Sequence, residues 1–161
     1  MAKAGSPGKG EALFATNRKA LRDYAILETY EVGIELKGTE IKSIRQHRVS
    51  LDDSIARIDE GELFLYNMHV SPYEQGGVFN AEPMRVRKLL MHRREIERLA
   101  GLLSQKQVTL VPLRLYQRHG LAKVELAVGK GRRTYEKRDR IRERETDREL
   151  RRLVRTEQKR A

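Results

Sequence analysis

The run Tyr24-Ala25-Ile26-Leu27-Glu28-Thr29-Tyr30-Glu31-Val32-Gly33-Ile34-Glu35-Leu36 decides the fold. Ile26, Tyr30, Val32, Ile34 and Leu36 recur at even positions, and side chains alternate faces with period two along a strand. The stretch therefore reads as a long strand with one face on a core, and Gly33 offers a point at which it bends or bulges. Downstream, Gly38 and Thr39 provide a turn and an N-cap for a short helix over 40–46, with Ile41 and Ile44 inward and Lys42 and Arg45 outward. Residues 54–58 and 62–66 flank Asp59-Glu60-Gly61, whose glycine suits the left-handed position of a hairpin turn. Residues 71–85, interrupted by Gly76-Gly77 and Pro83, read as a long surface loop. Ile96, Leu99, Ala100 and Leu103 mark a helix over 92–105. A second hairpin joins 108–116 to 121–128 across Arg118-His119-Gly120; Ala122, Val124, Leu126 and Val128 share one face, Lys123, Glu125 and Ala127 the other.

Short antiparallel strands with few helices predict a mainly β protein with peripheral helices. The expected architecture is a closed antiparallel β-barrel of oligonucleotide-binding type with a basic C-terminal tail; a split α+β sheet is the alternative. Three regions are expected: a flexible leader over 1–16, too poor in apolar residues to be ordered, the barrel over 17–133, and a tail over 134–161. Gly129-Lys130-Gly131-Arg132-Arg133 reads as a basic hinge between body and tail. Beyond Tyr135 the aliphatics larger than alanine are Ile141, Leu150, Leu153 and Val154, too few for a domain. On a helix, Lys137, Arg140, Arg144, Arg148, Arg151, Arg152, Arg155 and Lys159 fall within an arc of roughly 120°. Like charges four apart, such as Arg144 with Arg148, oppose that helix, so the tail is expected to be disordered when free and helical on a phosphate-lined surface.

Composition narrows the function. Lys and Arg number 34 against 23 Asp and Glu, a formal net charge of +11. Such an excess attracts polyanions and releases their counterions, which makes nucleic acid the first partner to consider and anionic membrane the second. Cysteine is absent, which excludes disulfides, thiolate zinc sites and cysteine nucleophiles. No run of about 18 apolar residues is present and the opening lacks the apolar stretch of a secretory signal, so a cytoplasmic protein with no membrane partner is expected. His47, His69, His92 and His119 are scattered, and no metal site is expected. Gly129-Lys130-Gly131 lacks the rest of a phosphate loop, no nucleophile stands beside a base, and neither catalytic residues nor a cofactor is expected. Tyr135, alone among charges, suits a stacking platform for a base.

Several blocks then fall into one order: Asn17-Arg18-Lys19-Ala20, Glu28-Thr29-Tyr30-Glu31-Val32-Gly33-Ile34, Gly38-Thr39-Glu40-Ile41-Lys42-Ser43, 64–73 (Phe-Leu-Tyr-Asn-Met-His-Val-Ser-Pro-Tyr), Arg87-Lys88-Leu89-Leu90 and 110–116 (Leu-Val-Pro-Leu-Arg-Leu-Tyr). Over 17–144 the chain closely resembles the SsrA-binding protein (SmpB) family of bacterial ribosome rescue. The resemblance implies a non-enzymatic factor of trans-translation that binds the tRNA-like domain of transfer-messenger RNA (tmRNA, SsrA RNA). Such a factor helps deliver the alanylated RNA, with elongation factor Tu and GTP, to stalled ribosomes. Its body stands in for a missing anticodon stem, and its tail enters the small-subunit decoding centre and the empty message channel so that the nascent peptide is tagged.

RNA-binding roles are expected for Asn17, Arg18 and Lys19 in the first block. The resemblance places further ones on Glu31, Leu90 and Lys123, of which only Lys123 is also picked out by its outward phase; composition alone gives Leu90 equal claim to the core. Lys130, Gly131, Arg132, Arg133, Tyr135, Glu136, Lys137 and Arg138 are expected at the decoding centre. Arg140, Arg144, Arg148, Arg151 and Arg152 are expected in the message channel. Two departures stand out. Glu136 replaces the family's usual Asp, and Arg45-Gln46-His47-Arg48 replaces a small residue and glycine, a turn that His47 can serve by tolerating a positive φ but that its sequence specifies less firmly. A structural ribosomal protein, retained on all ribosomes after a high-salt wash, and an RNA-processing enzyme, altering RNA covalently, are the rival readings.

Overall fold

The computed structural model describes residues 11–132 and 134–160, with the backbone alone for 134–141 and 157–160. The chain divides into two compact units, Met1–Gly131 and Arg132–Ala161. The first carries β1 (Ala12–Thr16), α1 (Arg18–Asp23), β2 (Tyr24–Ile34), α2 (Gly38–Arg45), β3 (Val49–Ser50), β4 (Ile55–Asp59), β5 (Glu62–Tyr66), β6 (His69–Val70), a 3-10 turn at Gly77–Phe79, β7 (Arg87–Leu90), α3 (Arg93–Gln105), β8 (Thr109–Arg118) and β9 (Leu121–Gly131). The second carries α4 (Thr134–Arg160).

The protein is mainly β: a large antiparallel sheet with peripheral helices. Seven strands run in the order β1-β8-β4-β5-β7-β2-β9, β8 pairs in addition with β9, and β3 pairs with β6 apart from them. Both expected hairpins form. At Glu60-Gly61 (φ 49° and 77°) and His119-Gly120 (φ 50° and 75°), both turn residues are left-handed, the turn geometry whose twist matches that of the flanking strands. His47, at φ 58°, is left-handed, a conformation that histidine tolerates in place of glycine.

The core lies on the inner sheet face, where Val32, Leu63, Leu65, Leu89, Leu110, Leu115, Val124 and Leu126 are buried, and α3 caps it with Ile96 and Leu99. A smaller cluster of Ala20, Val111, Leu113 and Ala127, flanked by Tyr24 and Ile26, sits under α1. Ala127 and Glu125 are therefore buried, although alternation along β9 places them outward, because a second layer covers that face.

Several local expectations are corrected. Residues 12–16, expected within a flexible leader, form β1, whose Leu13 and Thr16 lie opposite Tyr116 and Arg114 of β8; residues 1–10 lie outside the described chain. The segment Ala-Leu-Phe-Ala-Thr is too short to signal a strand without the partner that pairs it. Gly129, Lys130 and Gly131, expected as a hinge, continue β9 and pair with Ile26, Ala25 and Tyr24. A Cβ at Gly129 would stand 3.0 Å from that of Tyr24, so this glycine serves close packing. The irregularity in β2 falls between Ile26 and Glu28, not at Gly33. Lys37 precedes α2 in place of Thr39, its N–H donating to Glu40 Oε1 at 2.9 Å, and Ile41 lies outward while Ile44 is buried.

Candidate nucleic-acid interface

Strand register assembles the candidate site. Gly33 of β2 lies opposite both Leu90 of β7 and Lys123 of β9, and Lys123 lies opposite Tyr116 of β8. Directly opposed residues of antiparallel strands share a face, so Leu90, Gly33, Lys123 and Tyr116 form one row across four strands. Leu90 is 51% exposed, which settles its position outside the core, while neighbouring Leu89 is buried. Gly33 leaves a gap in the row, and Leu90 leans into it: a Cβ on Gly33 would be 3.2 Å from Leu90 Cβ.

The next row holds Glu31, Glu125 and Arg114. The two carboxylates face each other, and each is neutralised separately. Glu125 accepts from Arg114, whereas Glu31 Oε2 accepts from Tyr116 Oη at 2.5 Å and Arg118 Nη1 at 2.7 Å. Arg118 also reaches Glu11 at 2.9 Å. Burial favours the neutral form of Glu31, but the hydrogen bonds from Tyr116 and Arg118 outweigh it and hold the carboxyl below its usual range. Burial first, then Glu31, pushes the Tyr116 hydroxyl upward, so it stays a donor at neutral pH. Glu31 therefore acts as an anchor that holds Arg118 and Tyr116 in place beside Lys123.

At the other end of β2, Asn17 is buried and caps α1. Its Oδ1 accepts from Ala20 N at 3.0 Å, while its Nδ2 and N donate to Pro112 O at 2.9 Å and Leu113 O at 2.7 Å. Those carbonyls are presented where the β8–β9 register shifts between Pro112 and Arg114, an irregularity that tolerates proline's missing N–H. Asn17 thus holds α1 while Arg18 and Lys19 are exposed, with Lys19 Nζ 2.6 Å from Asp53 Oδ1.

A family model described as SmpB protein matches residues 14–156. The chain belongs to the SmpB family. SsrA-binding proteins of Caldicellulosiruptor bescii (57% identical over 142 residues, 88% of this chain and 90% of that protein) and Bacillus subtilis (55% over 152 residues, 94% and 97%) are among its relatives. That of Geobacillus kaustophilus is 55% identical over 152 residues, 94% of this chain and 98% of the relative. A solved chain described as "tmRNA-SmpB: a journey to the center of the bacterial ribosome" is 50% identical, with a TM-score of 0.62 over 74% of this chain and 84% of that one.

Of the SmpB-family positions named from the sequence, Glu31, Leu90 and Lys123 come together on one sheet face, while Asn17, Arg18 and Lys19 stand at α1. Lys130 and Gly131 close β9, and Arg132 opens the second unit. Arg133 and the side chains of Tyr135, Glu136, Lys137, Arg138 and Arg140 lie outside the described residues. Arg144, Arg148, Arg151 and Arg152 are exposed on α4, and among the described residues of that helix no ion pair forms. Leu150, Leu153 and Val154 are also exposed there.

Two features escaped sequence reasoning. Tyr116 and Arg118 support the face from 85 and 87 residues beyond Glu31, a pairing that register alone creates. Arg87, in a basic block, is fully buried: its Nε donates to Glu40 Oε2 at 2.6 Å and its Nη1 to Met68 O at 2.6 Å. Arg85 Nη2 donates to Glu40 Oε1 at 2.6 Å. This cluster clamps α2 to the segment leading into β7. Among the described residues no group of His, Asp and Glu is arranged to hold a metal, and no helix is long and apolar enough to cross a membrane.

Proposed function

We propose that this chain is the RNA-binding factor of trans-translation in its cell, recognising the tRNA-like domain of tmRNA with the face that carries Leu90 and Lys123, which Glu31 and the buried Tyr116 support. The observation that carries this reading is the register that gathers Glu31, Leu90 and Lys123 from separate strands onto one face, in a chain similar to SsrA-binding proteins over most of its length. The sheet is read as a closed barrel of oligonucleotide-binding type, supported by the additional β8–β9 pairing between the second and last strands of the order. Lys123 neutralises phosphate and Leu90 offers an apolar contact to a base or sugar, while Arg118, paired with Glu31 and Glu11, supports the face. Arg18 and Lys19 extend the basic surface from α1.

The tail acts separately. Arg132, Arg133, Tyr135, Glu136, Lys137 and Arg138 enter the decoding centre of the stalled ribosome, Lys130 and Gly131 contribute to that contact from the end of β9, and Arg140, Arg144, Arg148, Arg151 and Arg152 line the message channel. Contact with rRNA phosphates favours the helix by relieving arginine repulsion, so the free tail exchanges with unfolded forms. Elongation factor Tu with GTP carries the alanylated RNA in the cytoplasm, and no covalent step is assigned to the chain itself.

The test is binding of three proteins to the tRNA-like domain across a salt series, with ordinary tRNA as competitor: full length, a truncation before Thr134, and Lys123→Glu. The truncation is expected to bind like full length yet fail to support peptide tagging on stalled ribosomes. Lys123→Glu is expected to weaken binding while remaining folded. Full tagging by the truncated protein, or unaltered affinity of Lys123→Glu, would refute the two-part reading.

A further inference from the structure

The segment between β6 and β7 is built to hold an aromatic ring in solvent. Phe79 is 81% and Val78 93% exposed. Yet the backbone beneath them is tied: Asn80 Oδ1 accepts from Tyr73 N at 3.0 Å, and Asn80 Nδ2 donates to Tyr73 O at 2.8 Å. Gly76 permits this clamp, since a Cβ there would lie 2.5 Å from Asn80 Oδ1. Phe79 N donates to Gly76 O at 3.0 Å, and Thr39 Oγ1 donates to Phe79 O at 3.4 Å, joining the turn to α2.

Between this turn and α2 lies an open groove of about 340 Å³, lined by Lys37, Thr39, Lys42, Tyr73, Gln75 and Phe79 among others. Its lining holds two lysines and no carboxylate. Among the described residues neither lysine has an ion-pair partner, and the Lys42 ammonium sits 5.2 Å from the centre of the Tyr73 ring. Cations beside a presented aromatic face are what an unpaired nucleotide requires: the ring stacks on a base while the ammonium groups take the phosphates.

We propose that this groove is a second RNA contact, in which Phe79 stacks on an unpaired base and Lys37 and Lys42 neutralise adjoining phosphates. It rests on the RNA-binding reading above but shares no residue with the Leu90–Lys123 face. The unpaired nucleotide comes either from tmRNA or from ribosomal RNA.

The test uses the full chain with Phe79→Ala, Phe79→Tyr and Lys42→Gln, all at residues outside the core, and reads affinity for the purified tRNA-like domain of tmRNA and for isolated ribosomes across salt. Phe79→Ala should lose roughly 5- to 150-fold on one of the two probes, the range carried by one base–aromatic stack, and Phe79→Tyr should restore it. Lys42→Gln should lower the salt slope on the same probe by about 0.7 to 0.9. Loss on the tRNA-like domain assigns the contact to tmRNA; loss on ribosomes alone assigns it to ribosomal RNA. Unchanged binding of both probes overturns the proposal, as does a Phe79→Ala loss with no change in salt slope for Lys42→Gln, which marks an apolar protein partner. If Lys123→Glu weakens binding while these variants do not, only this inference falls; if Lys123→Glu also has no effect, the RNA-binding face itself is misplaced.

Discussion

Glu40→Gln removes the single carboxylate on which two arginines converge. Arg87 is fully buried and Arg85 about a quarter exposed, so at neutral pH the substitution leaves one guanidinium uncompensated in the interior. Breaking a buried pair from one side costs about 3 to 5 kcal/mol. The lower end applies here, because Arg87 keeps the carbonyls of Met68, Arg85 and Pro83 as acceptors. A loss of about 3 kcal/mol at a urea slope of about 1.5 kcal/mol per M moves the unfolding midpoint down by about 2 M. The difference should depend on pH. Burial raises the Glu40 carboxyl, but hydrogen bonds from Arg85 and the Lys37 N–H and the charge of Arg87 outweigh it, so its native pKa lies below the ordinary value. Its contribution is therefore complete above the unfolded value of about 4.3 and is lost as pH falls through the lower native one. Urea titrations of wild type and Glu40→Gln at neutral pH and in acid should show a gap that narrows in acid. A neutral-pH shift below about 0.3 M, or a gap indifferent to pH, would mean that the guanidiniums find water and the clamp is not a closed unit.

Asn17→Ala removes the cap of α1, worth about 0.5 to 2 kcal/mol; it also takes the side-chain donor from Pro112 O. A thermal midpoint equal to that of wild type would show that α1 docks without this clamp. Gly61→Val forces a β-branched residue into the left-handed position of the β4–β5 turn and should cost about 1 to 2 kcal/mol, with Gly61→Asn close to neutral. Equal urea midpoints for the two variants would contradict the turn geometry.

Elements whose signal is local were legible. Alternation in 24–36 marked β2, the Glu60-Gly61 and His119-Gly120 turns marked both hairpins, and the spacing of Ile96 and Leu99 marked α3. Elements whose order depends on a distant partner were not. β1 exists because β8 offers it an edge, and Gly129–Gly131 is strand rather than hinge because β2 runs long enough to pair with it. The burial of Ala127 and Glu125 depends on α1 and Arg114, which no window along β9 contains.

The candidate site divides in the same way. Lys123 is outward by phase, and the charge excess points to a polyanion, both properties of composition and period. Leu90 was undecided between core and surface until its pairing opposite Gly33 placed it outside. Glu31 was a residue without an evident task until Tyr116 and Arg118 came to it from β8.

What the sequence by itself determined is therefore the mainly β class, the turns, the best helix, the cationic character and, through ordered motifs, the family. What only the tertiary structure decided is which residues share a face, which charges are buried as clamps and which remain for a partner. The physical reason is range: periodicity and turn preference act over a few bonds, whereas strand register and burial are set by segments many residues apart.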